Sequence, residues 1–516
     1  MELQVIYQGA IATAHDSATK AGAETYKRGG NAVDAALAAA LALAVVYPHN
    51  TSIGGDAVII VRTPEGEVRC INATGWASKN IDLDALTSRY GQCLPDRGID
   101  TITLPGAIRG FESLHQIGAQ LPWEAHFDEA VHLALHGSTV GRSLASAIAA
   151  FPWQDSGSTS LQQLFLPNGA PLREGDRFVQ PELAATLDTI AHKGADSFYQ
   201  GSVMQDVVSG LQAMGSVLEE SDFTDYCVEL VAPISTAIGD LTVLTSPPNT
   251  QGFSLIKYLN TLKAERVSLA EGLHNRADLF ASCFFESNRL RDSELADPHF
   301  SVQDTEYFCS PLGAQRSALP QQIGDGDTVG IAAADSDGWA VSLIFSVFKS
   351  FGAGIRDSRT GVLFQDRGTA FSLSSLSPNV IAARKRPRHT LMPVLVLDDK
   401  DELAWVQATM GGSGQPQIHA QLLSHISCGA TLSEALAAPR MNVGARGIAD
   451  ALNTVYVERS VSALPRQALS KWALREVPDL TDWMGHANIV RVAGSMLEAA
   501  ADPRSDGAGM VVRLNR

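Results

Sequence analysis

Between residues 324 and 354 two apolar runs flank an Asp337-Gly338 step, a turn signal that predicts a β-hairpin. The second run alternates, with Ser342, Ile344, Ser346 and Phe348 on one face and Val341, Leu343, Phe345 and Val347 on the other. A turn centred between Ser336 and Gly338 sets Thr328 opposite residues 345–347, facing Ser346 or diagonal to it. Upstream, Cys309 to Asp327 is rich in Pro, Gly, Gln and Ser and has no period, which predicts an exposed loop ending where a buried strand begins.

Elsewhere the pattern predicts a strand at Ala10–Ala14, a helix at Ser17–Arg28 ending on Gly29-Gly30, and an Ala-rich helix capped by Asn31. Ala57–Arg62 and Val68–Asn72 read as a hairpin. From Gly106 to about Phe300 the signals are mainly helical, with periodic segments at Trp123–Leu135 and Pro181–Ile190. Strands are expected at Val231–Ile238, Leu241–Leu244, Val362–Gln365, Pro393–Leu397 and Leu403–Ala408, then a helix at Gln417–His425.

The 516 residues hold 56 acidic and 39 basic side chains, a net charge of -17 that opposes general affinity for nucleic acid or anionic membranes. An anionic ligand would need locally placed cations. No basic start followed by an apolar stretch opens the chain, and six cysteines without a Cys-x-x-Cys pair read as free thiols, so a cytoplasmic protein is expected. Ala35–Val46 is too short to span a membrane.

Several chemical motifs compete. Gly54-Gly55 reads as close packing, since no phosphate-loop Lys follows. His132 and His136 lack the Glu of a His-Glu-x-x-His pair and read as helix surface; no metal or cofactor is expected. Gln415 breaks Gly-x-Ser-x-Gly, and Asp335-Ser336-Asp337-Gly338 lacks a closing Glu and reads as a turn. The Gly411-Gly412-Ser413-Gly414 cluster opens a helix whose backbone N–H groups suit an oxyanion. Cleavage between Asp327 and Thr328 would give Thr328 a free amine able to accept its own hydroxyl proton, uniting nucleophile and base in one residue. On this stretch alone Thr328 also fits an ordinary β-branched residue opening a strand.

The ordered set Gly29–Ala36, Leu104–Ala107 with Gly110-Phe111, Gly175–Gln180, Ser246–Pro248, the Asp-Thr hairpin, Ser350–Gly354, Lys385–Pro387 and Gly411–Gly414 resembles the gamma-glutamyltranspeptidase family of N-terminal-nucleophile hydrolases from about Ala10 to about Arg440. That resemblance implies an α+β fold, a four-layer αββα sandwich built as one structural domain from two fragments, 1–327 and 328–516. It implies Thr328 as nucleophile, Ser346 assisting it, and the N–H groups of Gly414 and Gln415 as oxyanion donors. The family's groups for an amino-acid head are missing: Asn72-Ala73-Thr74-Gly75 lacks its Arg, Thr369-Ala370 replaces its acidic pair, Phe348 its Asn, and His389-Thr390 its Ser-Ser. Arg367, Arg388, His389, Thr390 and Phe348 instead resemble a branch that includes oxamate amidohydrolase, which implies a small anionic amide as substrate and partner. The alternatives are a gamma-glutamyl hydrolase or transferase with a rearranged clamp, and an uncleaved non-catalytic protein with an assembly role. A homodimer of αβ units stays open.

Overall fold

Asn31 accepts hydrogen bonds from the N–H groups of Val33 and Asp34, and Asp34 accepts one from the N–H of Asn31. This reciprocal cap starts the helix Ala32–Val46, which is apolar apart from Asp34 and is buried on every face, as a helix apolar all round must be. With Asp16–Lys27 it forms a layer over an antiparallel seven-stranded sheet. The computed structural model describes residues 6–155, 158–313, 327–445 and 450–514; residues 314–326, most of the stretch expected to be an exposed loop, lie outside the described residues.

Across the first sheet the strands run Ala508–Leu514, Ile6–Thr13, Asp327–Asp335, Ala340–Phe348, Asp56–Arg62, Val68–Ala73 and Glu229–Val231. The second sheet runs Met496–Ala501, Ala487–Ala493, Leu403–Thr409, Val394–Leu397, Leu241–Thr245 and Ile234–Ile238. The alternation read on the central hairpin separates two cores. Val341, Leu343 and Phe345 enter the core beneath the helices, whereas Ala340 and Ile344 enter the core between the sheets. Helices Phe253–Glu265, Ala277–Ser293 and Gln415–Ser427 close a third core on the far side. The result is the expected αββα order, with strands from both sides of residue 327 interleaved in the first sheet.

Some expectations fail for local reasons. Val231–Ile238 is not one strand: it breaks at Ala232-Pro233, its first part ending the first sheet and its second part opening the second. Val362–Gln365 forms only isolated bridges through Leu363 and Phe364. Trp123–Leu135 divides at Phe127 into a single 3₁₀ turn and the helix Asp128–His136, which carries His132 and His136 on its exposed side. Gly54 and Gly55 do serve close packing, since a Cβ would lie 2.2 Å from the carbonyls of Leu363 and Ser346 respectively. All six cysteines are unpaired, and no described helix is long and apolar enough to cross a membrane.

Beyond residue 440 the sequence pattern predicts no strand, yet a three-stranded sheet and the ends of both large sheets lie there. A buried charge network holds this region. Arg504 donates to both Glu458 oxygens, at 3.0 and 2.5 Å, and to Asp502 at 3.2 Å, while Arg440 also pairs with Asp502. Removing one member leaves uncompensated buried charge. Arg504→Met should therefore destabilise the protein by about 3–5 kcal/mol, read from the urea unfolding midpoint of the full chain.

Candidate active site

The strand that begins at Asp327 pairs antiparallel with Ala340–Phe348, with Phe345 opposite Val329 and Phe348 opposite Asp327. The register slips between these pairs, so Ser346 and Val347 share the space facing Thr328. Bulges of this kind re-aim side chains beside reacting groups. Here the bulge brings Thr328 Oγ1 to 3.3 Å from Ser346 Oγ, both buried. Ser346 accepts from the N–H of Phe348 at 2.7 Å and donates to the carbonyl oxygen of Asp327 at 2.6 Å. The peptide joining Asp327 to Thr328 is therefore polarised by the same hydroxyl that receives the Thr328 proton. Asn50 donates to the Thr328 carbonyl at 3.3 Å.

Phe348 closes the bulge with φ +81, a conformation that costs a non-glycine residue roughly 1–3 kcal/mol. Its ring supports Arg367, whose guanidinium carbon lies 3.9 Å from the ring centroid. Arg367 is fully buried. One Nη donates to Thr390 Oγ1 at 3.2 Å, whereas Nε and the other Nη have no partner. Burial lowers its pKa to about 10, opposed by the nearby Asp56 and Asp366, so the side chain stays cationic at neutral pH. Asp366 Oδ2 is also without a partner, and burial pushes that carboxyl above the usual range.

His389 is placed differently from the expectation of a ligand-binding residue. Leu391 donates its N–H to Nδ1 at 3.3 Å, so Nε2 carries the proton and faces Asp56 Oδ2 at 3.2 Å. Both ring nitrogens are thus used by the protein. Burial, with Arg367 alongside, lowers the His389 pKa to about 4 and keeps the ring neutral. Asp56, which sits opposite Ser346 on the adjoining strand, also accepts from the N–H groups of Gly75 and Gly106 and from Gln365, all at its other oxygen. Arg388 donates one Nη to the Asp292 carbonyl at 2.6 Å, which commits that nitrogen to the protein.

The expected oxyanion donors are likewise committed. The N–H of Gly414 donates to Gly411 O at 2.8 Å and that of Gln415 to Gly412 O, both closing the turn that leads into the helix. Gly414 is required by space, because a Cβ would lie 2.4 Å from the Asn442 amide. Three residues earlier the backbone is open: Gly411 and Gly412, with φ +137 and +51, donate to no partner among the described residues. Gln251 holds this loop by donating to the carbonyls of Gly412 and Thr390 at 2.8 and 2.7 Å. The two adjacent glycines were a legible signal for this position.

A cavity of about 360 Å³ opens on the junction, lined among others by Asp327, Asn50, Lys349, Gly411 and Arg97. Arg97, absent from the sequence expectations, donates to the carbonyls of Ser350 and Gly352 at 2.6 and 2.8 Å. Among the described residues no group of three His, Cys, Asp or Glu side chains is placed to hold a metal ion.

A family model for gamma-glutamyltranspeptidase matches residues 18–512, well past Arg440. The chain is 31% identical over 526 residues to a glutathione hydrolase-like YwrD proenzyme of Bacillus subtilis, covering 97% of this chain and 98% of the relative. It is also 31% identical over 523 residues to an oxamate amidohydrolase proenzyme of Klebsiella pneumoniae, with the same coverage. A cephalosporin acylase from Bacillus halodurans shares the fold with a TM-score of 0.88 at 28% identity, over 99% of this chain and 97% of that one. The chain belongs to the gamma-glutamyltranspeptidase family and has that family's N-terminal-nucleophile hydrolase fold, that of an enzyme acting on amides.

Proposed function

We propose that the chain is a self-processing amidohydrolase that cleaves a small carboxylate-bearing amide of the oxamate kind. One observation carries the proposal: Ser346 bonds the Asp327 carbonyl oxygen at 2.6 Å while Thr328 Oγ1 stands 3.3 Å from the same hydroxyl. In maturation Thr328 Oγ attacks the Asp327 carbonyl carbon, and the Ser346 hydroxyl, donating to the Asp327 oxygen, stabilises the negative charge that develops there. The C–N bond breaks, its nitrogen takes the hydroxyl proton, and water hydrolyses the resulting ester. The products are residues 1–327, ending in a new carboxylate, and residues 328–516. The proenzyme names of both relatives support processing of a precursor.

In turnover the freed amine of Thr328 accepts the Oγ proton as the oxygen adds to the amide carbonyl. The unengaged N–H groups of Gly411 and Gly412, in place of those of Gly414 and Gln415, receive the oxyanion. The leaving amine takes the proton from Thr328, and water resolves the ester. Arg367 holds the substrate carboxylate with its two unpartnered N–H directions, backed by Phe348 and Thr390. His389 acts indirectly, fixing Asp56 and hence the strand opposite Ser346.

Three outcomes test this. On a denaturing gel the purified protein should run as two fragments, the smaller one beginning Thr-Val-Gly-Ile, and Thr328→Ala should remain a single chain. Ammonia release from oxamate should exceed cleavage of a gamma-glutamyl anilide, and Arg367→Lys, which keeps the charge but loses the fork, should cut kcat/KM for oxamate by about tenfold or more without stopping fragment formation; the reverse substrate order would reinstate the gamma-glutamyl alternative. Because kcat/KM requires an unprotonated terminal amine, it should climb through roughly pH 7.7–8.0, the ordinary α-amino range. His389, with its pKa near 4, should add no limb of its own above about pH 5.

A further inference from the structure

The cavity beside the junction is walled by polar groups that the protein itself leaves unanswered. The Tyr47 hydroxyl, His49 Nδ1, Ser350 Oγ and both ring nitrogens of His486 are buried and hold no hydrogen bond. Tyr47 is 0%, His49 4% and His486 2% exposed. Ser143 stands beside the Tyr47 hydroxyl, and Asp482 lies 3.5 Å from His486 Nε2, an ion pair once that ring is protonated. Buried polar atoms are nearly always paired, so this many on one wall call for a bound partner. The same wall offers flat faces: the rings of Tyr47 and His49 lie 4.2 Å apart, and Trp483 joins them. Burial holds His49 neutral, with its pKa lowered to about 3.

A volume of about 360 Å³ is in the range of small-molecule sites and far larger than the ammonia that a primary amide releases. Resting on the reading that Thr328 cleaves a small carboxylate-bearing amide, we infer that this cavity receives the amine half of the substrate, and that the preferred substrate is an N-substituted amide whose amine carries a planar, neutral, hydrogen-bonding group. The acid half remains with Arg367. The bond from Thr328 Oγ to the acyl carbon forms as the C–N bond breaks. The amine departs with the proton held by the Thr328 amine, and water releases the acid and restores the hydroxyl.

The test compares three oxamates on the self-cleaved enzyme: oxamate, N-benzyloxamate and N-(4-hydroxybenzyl)oxamate. Benzylamine and ammonia are of similar basicity, so differences report binding of the amine half. The expected order of kcat/KM is 4-hydroxybenzyl above benzyl above oxamate, with at least a tenfold span. Tyr47→Phe and His486→Ala should each shrink the ratio of the 4-hydroxybenzyl compound to oxamate fivefold or more. Oxamate turned over as well as either N-substituted compound overturns the inference while leaving the Thr328 reading intact. If none is turned over, the acid half has been misassigned, and calorimetry with N-(4-hydroxybenzyl)acetamide, which lacks the acid, decides the cavity. Binding weakened tenfold by Tyr47→Phe supports the subsite, and no binding to the wild type overturns it.

Discussion

The hydrogen bond from Ser346 to the Asp327 carbonyl is the contact around which the centre of the molecule is arranged. A hydroxyl can hold that carbonyl and also face the neighbouring Thr328 only where the two strands slip register, and the slip is fixed from several sides. The N–H of Phe348 orients the Ser346 oxygen, and Gly55 lets the chain pass so close to the Ser346 carbonyl that any side chain would collide with it. Asp56 then pairs opposite Ser346 and gathers a histidine, a glutamine and two backbone N–H groups. Moving any of these displaces the hydroxyl by amounts that matter at hydrogen-bond distances.

Arg367 poses the complementary problem of a buried cation with part of its hydrogen-bonding capacity unused. Packing against Phe348 and attraction from Asp56 and Asp366 keep it charged, yet none of these fills the two free N–H directions. Such an arrangement favours a planar anion over water or a neutral group, and does so because the guanidinium is already desolvated and oriented. The strain at Phe348 belongs to the same device, since its left-handed backbone both ends the bulge and presents the ring.

Much of this was legible in the chain. The Asp-Gly turn, the two-residue alternation and the short apolar runs predict the central hairpin and set Thr328 across from Ser346, while the bulge that joins their hydroxyls breaks that period. Side-chain direction at irregular backbone was not legible. His389, Gly414 and Gln415 lie outside regular strands, where no period says which way a group turns, and each proves to be taken up by a neighbour distant in sequence or by its own turn, as is one nitrogen of Arg388. Asp56 and Arg97 escaped notice for a related reason: their partners lie far along the chain. Beyond residue 440 the strand Met441–Val443 is short, and others such as Ala473–Val477 and Met496–Ala501 carry mixed polar and apolar residues that blur the alternation.

The interleaving of the first sheet has a consequence for how the molecule comes into being. The strand Ile6–Thr13 is clasped on one side by Asp327–Asp335 and on the other by Ala508–Leu514, so a cut at residue 327 frees no piece to drift away. It does remove the covalent tether that let those strands find one another. Assembly is a first-order search before the cut and a second-order one after it. Under the proposed cleavage the bond between Asp327 and Thr328 is thus a single-use folding aid, and a cut molecule, once melted, would face a concentration-dependent route home that its uncut form never met.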